Sequence, residues 1–262
     1  MELGGKRAYV YTAGHAIDPM LPTVVFVHGG EHDHSVWALQ SRYFAYHGRN
    51  ALAPDLPGHG RSQGPALGSI EALADWIESL LDAAGIKHSA LVGHSLGSLV
   101  ALELAARQPS RVTKIALLGT SVPMPVAEPL LNAAQANDYA AFDMINVWSY
   151  SSRAQIGGNT APGLWMIGMN RRLMERQALG VLYADFKACN EYAHGTVAAA
   201  RVKCPTLVIV GSRDQMTPPR ATHELVKRIA RAQTITLEGS GHALMAEQPD
   251  AVLDALIGFI VH

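Results

Sequence analysis

The run Ala90-Leu91-Val92-Gly93-His94-Ser95-Leu96-Gly97 joins two kinds of sequence. Before Gly93 lies a short, continuously apolar stretch that reads as a strand buried on both faces. After Ser95, residues from Leu96 to about Gln108 read as a helix that is apolar over most of its surface, and therefore buried. Between them stands Gly-x-Ser-x-Gly. A strand that turns this sharply into a helix holds the serine at a strained backbone angle, with its hydroxyl raised above the sheet. Gly93 and Gly97 fit the turn because backbone segments approach there too closely for a Cβ. The helix start behind Ser95 offers free N–H groups and a positive dipole end.

Working outward, the same alternation recurs. Thr23–Val27 is a buried strand ended by a Gly pair, and Asn50–Ala53 is a short strand cut off at Pro54. Ser69 caps a helix in which Ile70, Leu73, Ile77, Leu80, Leu81 and Ala84 recur at helical spacing, with Gly85 just past its end. Ile115–Leu118, Thr206–Val210 and Thr234–Leu237 read as further strands. Residues 34–47 read weakly as a helix. Pro218-Pro219 opens a helix to about Arg231, and Pro249 opens one to the C-terminus. Residues 8–12 suit an antiparallel edge strand. Short links between strands and helices predict an α/β fold, a mostly parallel sheet with helices on both faces.

The alternation stops between about residues 121 and 203. Trp148, Trp165 and five of the nine methionines (Met124, Met144, Met166, Met169, Met174) collect there. This predicts a core in two parts, 1–120 and 204–262, with a helical insertion over 121–203.

Parallel strands end at one sheet edge, so residues just past them converge. Asp214 follows the strand Thr206–Val210, and His242 follows Thr234–Leu237 in Gly239-Ser240-Gly241-His242. A serine hydroxyl needs a base to take its proton. His242 suits that role, and Asp214 suits fixing the imidazole tautomer. Ser95, Asp214 and His242 are the candidate catalytic residues. Charge developing on a carbonyl oxygen needs two backbone donors. Leu96 N–H is one, and Gly30 N–H in His28-Gly29-Gly30 the second, with Glu31 N–H the fallback. The His28 side chain suits bracing this loop. Trp148, Trp165 and Met216 are the candidate substrate-contacting side chains, since Met and Trp make soft, adaptable apolar walls.

These residues, in the order Ser, Asp, His, resemble the α/β-hydrolase superfamily from about residue 20 to the end, apart from the insertion. The resemblance includes the loop Ala53-Pro54-Asp55-Leu56-Pro57-Gly58-His59-Gly60-Arg61-Ser62 and the stretch Gly241-His242…Pro249. It implies a sheet of about eight strands, a lid where the insertion lies, and Ser-Asp-His hydrolysis of an ester-type bond. Where many relatives carry Gly-Gly, this chain has Gly97-Ser98, which bears on helix packing. Carbon–carbon hydrolysis, thioester hydrolysis, cofactor-free perhydrolysis and small-molecule reception share the same triad.

Composition narrows the rest. At 262 residues, with 48% hydrophobic and 16% charged residues, the chain reads as folded. A net charge of −1 leaves no broad basic field for nucleic acid or an anionic membrane. Cys189 and Cys204 suit buried thiols in a reducing compartment. The N-terminus lacks an apolar signal core, and no apolar run spans a bilayer, so a cytoplasmic protein acting on a small molecule is expected. The histidine-rich stretch His28, His32, Asp33, His34 lacks the spacing of a binuclear metal site. Neither Gly-x-Gly-x-x-Gly nor a P-loop occurs. No metal and no cofactor are expected.

Overall fold

A computed structural model describes residues 1–158 and 164–261. Its first elements are a two-stranded antiparallel hairpin, β1 (Glu2–Leu3) and β2 (Lys6–Arg7). The main sheet contains β3 (Val10–Tyr11), β4 (Thr23–Val27), β5 (Asn50–Pro54), β6 (Ser89–His94), β7 (Val112–Leu118), β8 (Thr206–Gly211) and β9 (Ala232–Leu237), in the order β3-β5-β4-β6-β7-β8-β9. Only β3 runs antiparallel, at the edge expected for residues 8–12. Among the described residues the main sheet has seven strands, where the resemblance implied about eight.

The inner strands read as apolar runs because both sheet faces are covered there, whereas β9 at the edge is largely exposed. Side chains alternate across the sheet with period two. Val25, Val27, Leu91, Ile115, Leu117, Val208 and Val210 enter one core. Their neighbours Val24, Phe26, Val92, Ala116, Leu118, Leu207 and Ile209 enter the other. The second core is closed by α1 (Ala38–Tyr46), which follows a 3-10 turn at His34–Trp37, and by the C-terminal helix. The first is closed by α2 (Ile70–Ala83) and α3 (Leu96–Arg107). Ser69 caps α2 by accepting the Ala72 N–H, and Gly85 takes a positive φ of 68° behind it, as the spacing predicts.

Between β7 and β8 lie helices alone among the described residues: α4 (Glu128–Ala136), α5 (Ala140–Ser149), α6 (Ser152–Gln155), α7 (Met166–Met174), α8 (Val181–Glu191) and α9 (Gly195–Arg201). They form a small core of their own around Leu130, Ile145, Met174, Leu182 and Phe186. After β8 come α10 (Pro219–Val226), then α11 (Leu244–Glu247) and α12 (Pro249–Ile260) past β9. The helix expected to reach about Arg231 stops at Val226. Bonds from Arg228 N–H to Leu225 and from Ile229 N–H to Val226 tighten the chain there and tuck Ile229 into the core. No described helix is long and apolar enough to cross a membrane.

Candidate active site

β6, β8 and β9 are parallel strands of one sheet, with β7 between the first two, so the loops behind them open at one edge. Ser95 stands between β6 and α3 at φ 52°, ψ −120°. That left-handed backbone costs a non-glycine residue on the order of 1–3 kcal/mol and persists where surroundings over-determine it. The Ser95 N–H is tied to the Leu118 carbonyl at 2.9 Å. A Cβ on Gly93 would fall on the Gly97 carbonyl, and one on Gly97 would fall on the Val27 carbonyl. Ser98, in place of the usual second glycine, is fully buried and turns its hydroxyl back onto the Ser95 carbonyl. Leu96 opens α3, so its N–H has no acceptor within the helix.

Asp214 is a buried carboxylate with four donors. Oδ1 accepts the N–H groups of Met216 and Thr217, both at 2.8 Å. Oδ2 accepts the Thr217 hydroxyl at 2.7 Å and faces His242 Nδ1 at 2.8 Å. Burial pushes this carboxyl up, but the attraction of a protonated His242 and the bonds from His242 and Thr217 outweigh it, leaving Asp214 below the usual range. With Nδ1–H directed at Asp214, the neutral His242 ring carries its lone pair on Nε2, the tautomer a general base needs. No hydrogen bond joins Ser95 Oγ to His242 in this structure; such bonds commonly tighten only around bound substrate. The backbone of His242 is fixed independently. Its carbonyl accepts from His94 Nε2 at 2.9 Å, the preceding Gly241 N–H meets Glu247 Oε1 at 2.9 Å, and the following Ala243 N–H meets the Ser149 carbonyl at 3.0 Å.

The third loop follows β4. His28 is fully buried. Its Nδ1–H donates to the Gly29 carbonyl at 2.8 Å and its Nε2 accepts the Leu56 N–H at 3.0 Å, so it ties this loop to the one that begins at Asp55. Burial, with the neighbouring His59 charge, pushes its pKa down to about 3, in keeping with a neutral ring. Of the two candidate donors, Glu31 N–H is already given to Asp185 Oδ2 at 2.8 Å. That leaves Gly30 N–H as the candidate to pair with Leu96 N–H.

The histidine stretch scatters rather than converging. His32 Nε2 bonds Asn170 at 2.9 Å, and His34 Nδ1 bonds Asp55 at 2.7 Å. Asp33, His34 and Asp55 do bring ligand-type atoms within 4.8 Å of one another. Protein groups already engage all three: Asp33 caps the 3-10 turn at Ser35 N–H, and Asp55 accepts from His34 and Arg61.

Next to His94 lies a cavity of about 1060 Å³, walled by Leu39, Met245 and, from the insertion, Trp165, Met166 and Met169; Arg171, Arg172 and Arg176 also line it, and Ser95 and His242 do not. Trp165 is 68% exposed and its ring lies over Gly168. Trp148 and Met216 do not line this cavity; both pack on the insertion's own core. Sequence reasoning missed four polar residues that hold the site: Thr217, His94, Glu247 and Asp185. Thr217 had a local signal, an Asp followed three residues later by Thr in a turn. His94 and Glu247 are close in sequence to Ser95 and His242, but the partners that show their roles, like those of Asp185, lie far along the chain: His94 meets the His242 carbonyl and Glu247 meets Ser151.

Comparison with known proteins agrees with this architecture. The chain is 30% identical over 247 residues to a pimeloyl-[acyl-carrier protein] methyl ester esterase of Aromatoleum aromaticum, covering 87% of this chain and 94% of that one. It is 27% identical to a non-heme chloroperoxidase of Streptomyces lividans, covering 90% and 91%. The crystal structure of the enol-lactonase from Burkholderia xenovorans LB400 superposes with a TM-score of 0.87 at 24% identity, over 99% of this chain and 98% of that one. The alpha/beta hydrolase family model matches residues 24–255, and the chain belongs to that family.

Proposed function

We propose that this chain is a serine hydrolase that cleaves an ester bond of a small, mainly apolar substrate through an acyl-enzyme on Ser95. The observation that carries the reading is the 2.8 Å contact between buried His242 Nδ1 and Asp214 Oδ2, at the sheet edge where Ser95 stands strained on its elbow. Ser95 Oγ attacks the ester carbonyl while His242 Nε2 takes its proton. The carbonyl oxygen becomes an oxyanion held by the N–H groups of Leu96 and Gly30. Collapse expels the alcohol, which takes the proton back from His242. Water then attacks the acyl-enzyme by the same route and regenerates Ser95. Asp214 keeps its negative charge throughout and stabilises the imidazolium. No cofactor or metal enters these steps.

The insertion serves as the lid in this reading. Lids exclude water and set acyl preference. The mainly apolar wall of the cavity next to His94 supports an apolar or aromatic acyl group over a sugar one. The decisive experiment is multiple turnover on a series of p-nitrophenyl esters by the wild type and by Ser95→Ala. The variant is expected to fold and to lose ~10⁴–10⁶ in turnover. Retention of most of the activity sinks the assignment of Ser95.

A further inference from the structure

Asp185 belongs to α8 of the insertion, yet its hydrogen bonds go to the core. Its side chain is 1% exposed. Oδ2 accepts the Glu31 N–H at 2.8 Å and faces His59 Nε2 at 2.9 Å. Asp185 and the Phe186 ring lie over Gly30 with room between for little more than a methyl: a Cβ there would just touch Asp185 Cβ, at 3.4 Å. Resting on the reading of Ser95 as nucleophile, we propose that Asp185 is a positioning residue for the oxyanion hole. By gripping the Glu31 N–H it orients the neighbouring Gly30 peptide, so that the insertion completes the donor pair.

Three observations support an active part for this contact. First, Glu31 sits at φ 52°, a left-handed conformation that a glutamate holds only under constraint. Asp185 supplies one such constraint, and the His32 N–H bond to the Gly29 carbonyl supplies another. Second, the anchor is ionic. His59 Nδ1 faces the Pro57 carbonyl at 3.1 Å while Nε2 faces Asp185. Both partners are acceptors only, so both ring nitrogens carry hydrogen and His59 is an imidazolium. Despite burial, the Asp185 charge and hydrogen bond keep the His59 pKa above its ordinary value. Third, the cluster is not arranged for stability alone. Asp185 Oδ1 and Glu31 Oε2 are both buried without a hydrogen-bond partner, whereas the nearby Asp55 uses both of its oxygens. Incomplete satisfaction of buried carboxyls costs stability and calls for another reason to keep them.

The test compares Asp185→Ala and Asp185→Asn with the wild type. Turnover is expressed per active site titrated with a fluorophosphonate, which removes any misfolded fraction. A trifluoromethyl ketone measures the hole directly, because its adduct with Ser95 carries an oxyanion. For Asp185→Ala we expect kcat to fall ~10–100-fold, below the ~10²–10³ for loss of a whole oxyanion donor. KM should stay within about threefold, and the ketone should bind weaker by about the factor lost in kcat/KM. Asp185→Asn keeps an oxygen for the Glu31 N–H but not the charge, and should lose ~3–10-fold. A lowered melting temperature with kcat per titrated site and ketone affinity unchanged overturns the proposal. So does a rise in KM alone. If Asp185→Ala fails to fold, the ketone affinity of Asp185→Asn decides in the same way. The result for Ser95→Ala separates the two readings: should it lose turnover while both Asp185 variants keep theirs, only the positioning role falls.

Discussion

Asp214 and Asp185 are both buried carboxylates at the same sheet edge, and they are supported in opposite ways. Three of the four donors to Asp214 come from residues 216 and 217, a single turn of chain. The donors to Asp185 lie 154 and 126 residues away in sequence. One aspartate is held by its own loop and reaches out once, to His242. The other is delivered by the insertion and reaches only outward. A locally built site survives changes elsewhere in the fold. A site assembled from distant pieces depends on how two bodies of the protein dock.

The comparison can be broken most directly at its local member. Asp214→Asn should leave the fold intact, since the amide still fits the turn, and should lower ester turnover by ~10⁴, because the amide can hold His242 in the wrong tautomer. The measurement is kcat per titrated site. A loss of only a few-fold would mean that the aspartate merely shapes its loop.

A second experiment sharpens the contrast in charge. Asp214 lies below the usual carboxylate range, whereas burial, with the Asp185 charge, pushes Glu31 up to about 9. At neutral pH the folded chain therefore holds a proton on Glu31 that the unfolded chain has released. Stability from this group is full below about pH 4.5 and is lost progressively as pH rises toward 9. Gln cannot titrate. Glu31→Gln should therefore gain on the wild type by up to about 1.4 kcal/mol per pH unit across that window, or about 3 kcal/mol at pH 7. Urea unfolding of both proteins at pH 5, 7 and 8.5 measures it. A difference that stays constant with pH refutes the neutral state of Glu31.

The smallest effects separate the two tryptophans of the insertion. Trp165 lines the cavity and is largely exposed, so Trp165→Ala should reorder acyl preferences among p-nitrophenyl esters while moving the melting temperature little. Trp148 packs on the insertion core, so Trp148→Ala should cost about 2 kcal/mol, or ~4–8 °C in melting temperature, with the acyl ranking kept. The reverse pattern would exchange their roles.

What could be read from the sequence follows the same division. The elbow, the strands and the positions of Asp214 and His242 carry signals within about ten residues: an apolar run, a glycine pair, a cap, a turn. Such signals need no knowledge of the rest of the fold. The sequence favours Gly30 over Glu31 as donor; the contact that occupies the Glu31 N–H comes from Asp185, which no local pattern joins to that loop. The insertion fared likewise. Its helical character was legible from the loss of strand signal and the density of Met and Trp. Which tryptophan faces a cavity depends on helix docking, and nothing within one helix records that. Met216 illustrates the limit: two residues past Asp214 in sequence, it packs on the insertion core instead of lining the cavity.

The Glu247 carboxylate accepts the Gly241 N–H from the His242 loop and, from the insertion, the Ser151 N–H at 3.2 Å and hydroxyl at 2.5 Å. This feature bears on engineering. Exchanging residues 121–203 for the corresponding stretch of a relative looks like a clean modular swap, cut at the ends of β7 and β8. Yet such a chimera would leave Glu247 holding Gly241 with its other contacts vacant, and the backbone of His242 would inherit the slack. A transplant that respects the physics must carry a hydroxyl and an N–H at the position of Ser151, and a carboxylate at that of Asp185. Recombination between relatives should therefore succeed according to these few contacts more than to overall identity.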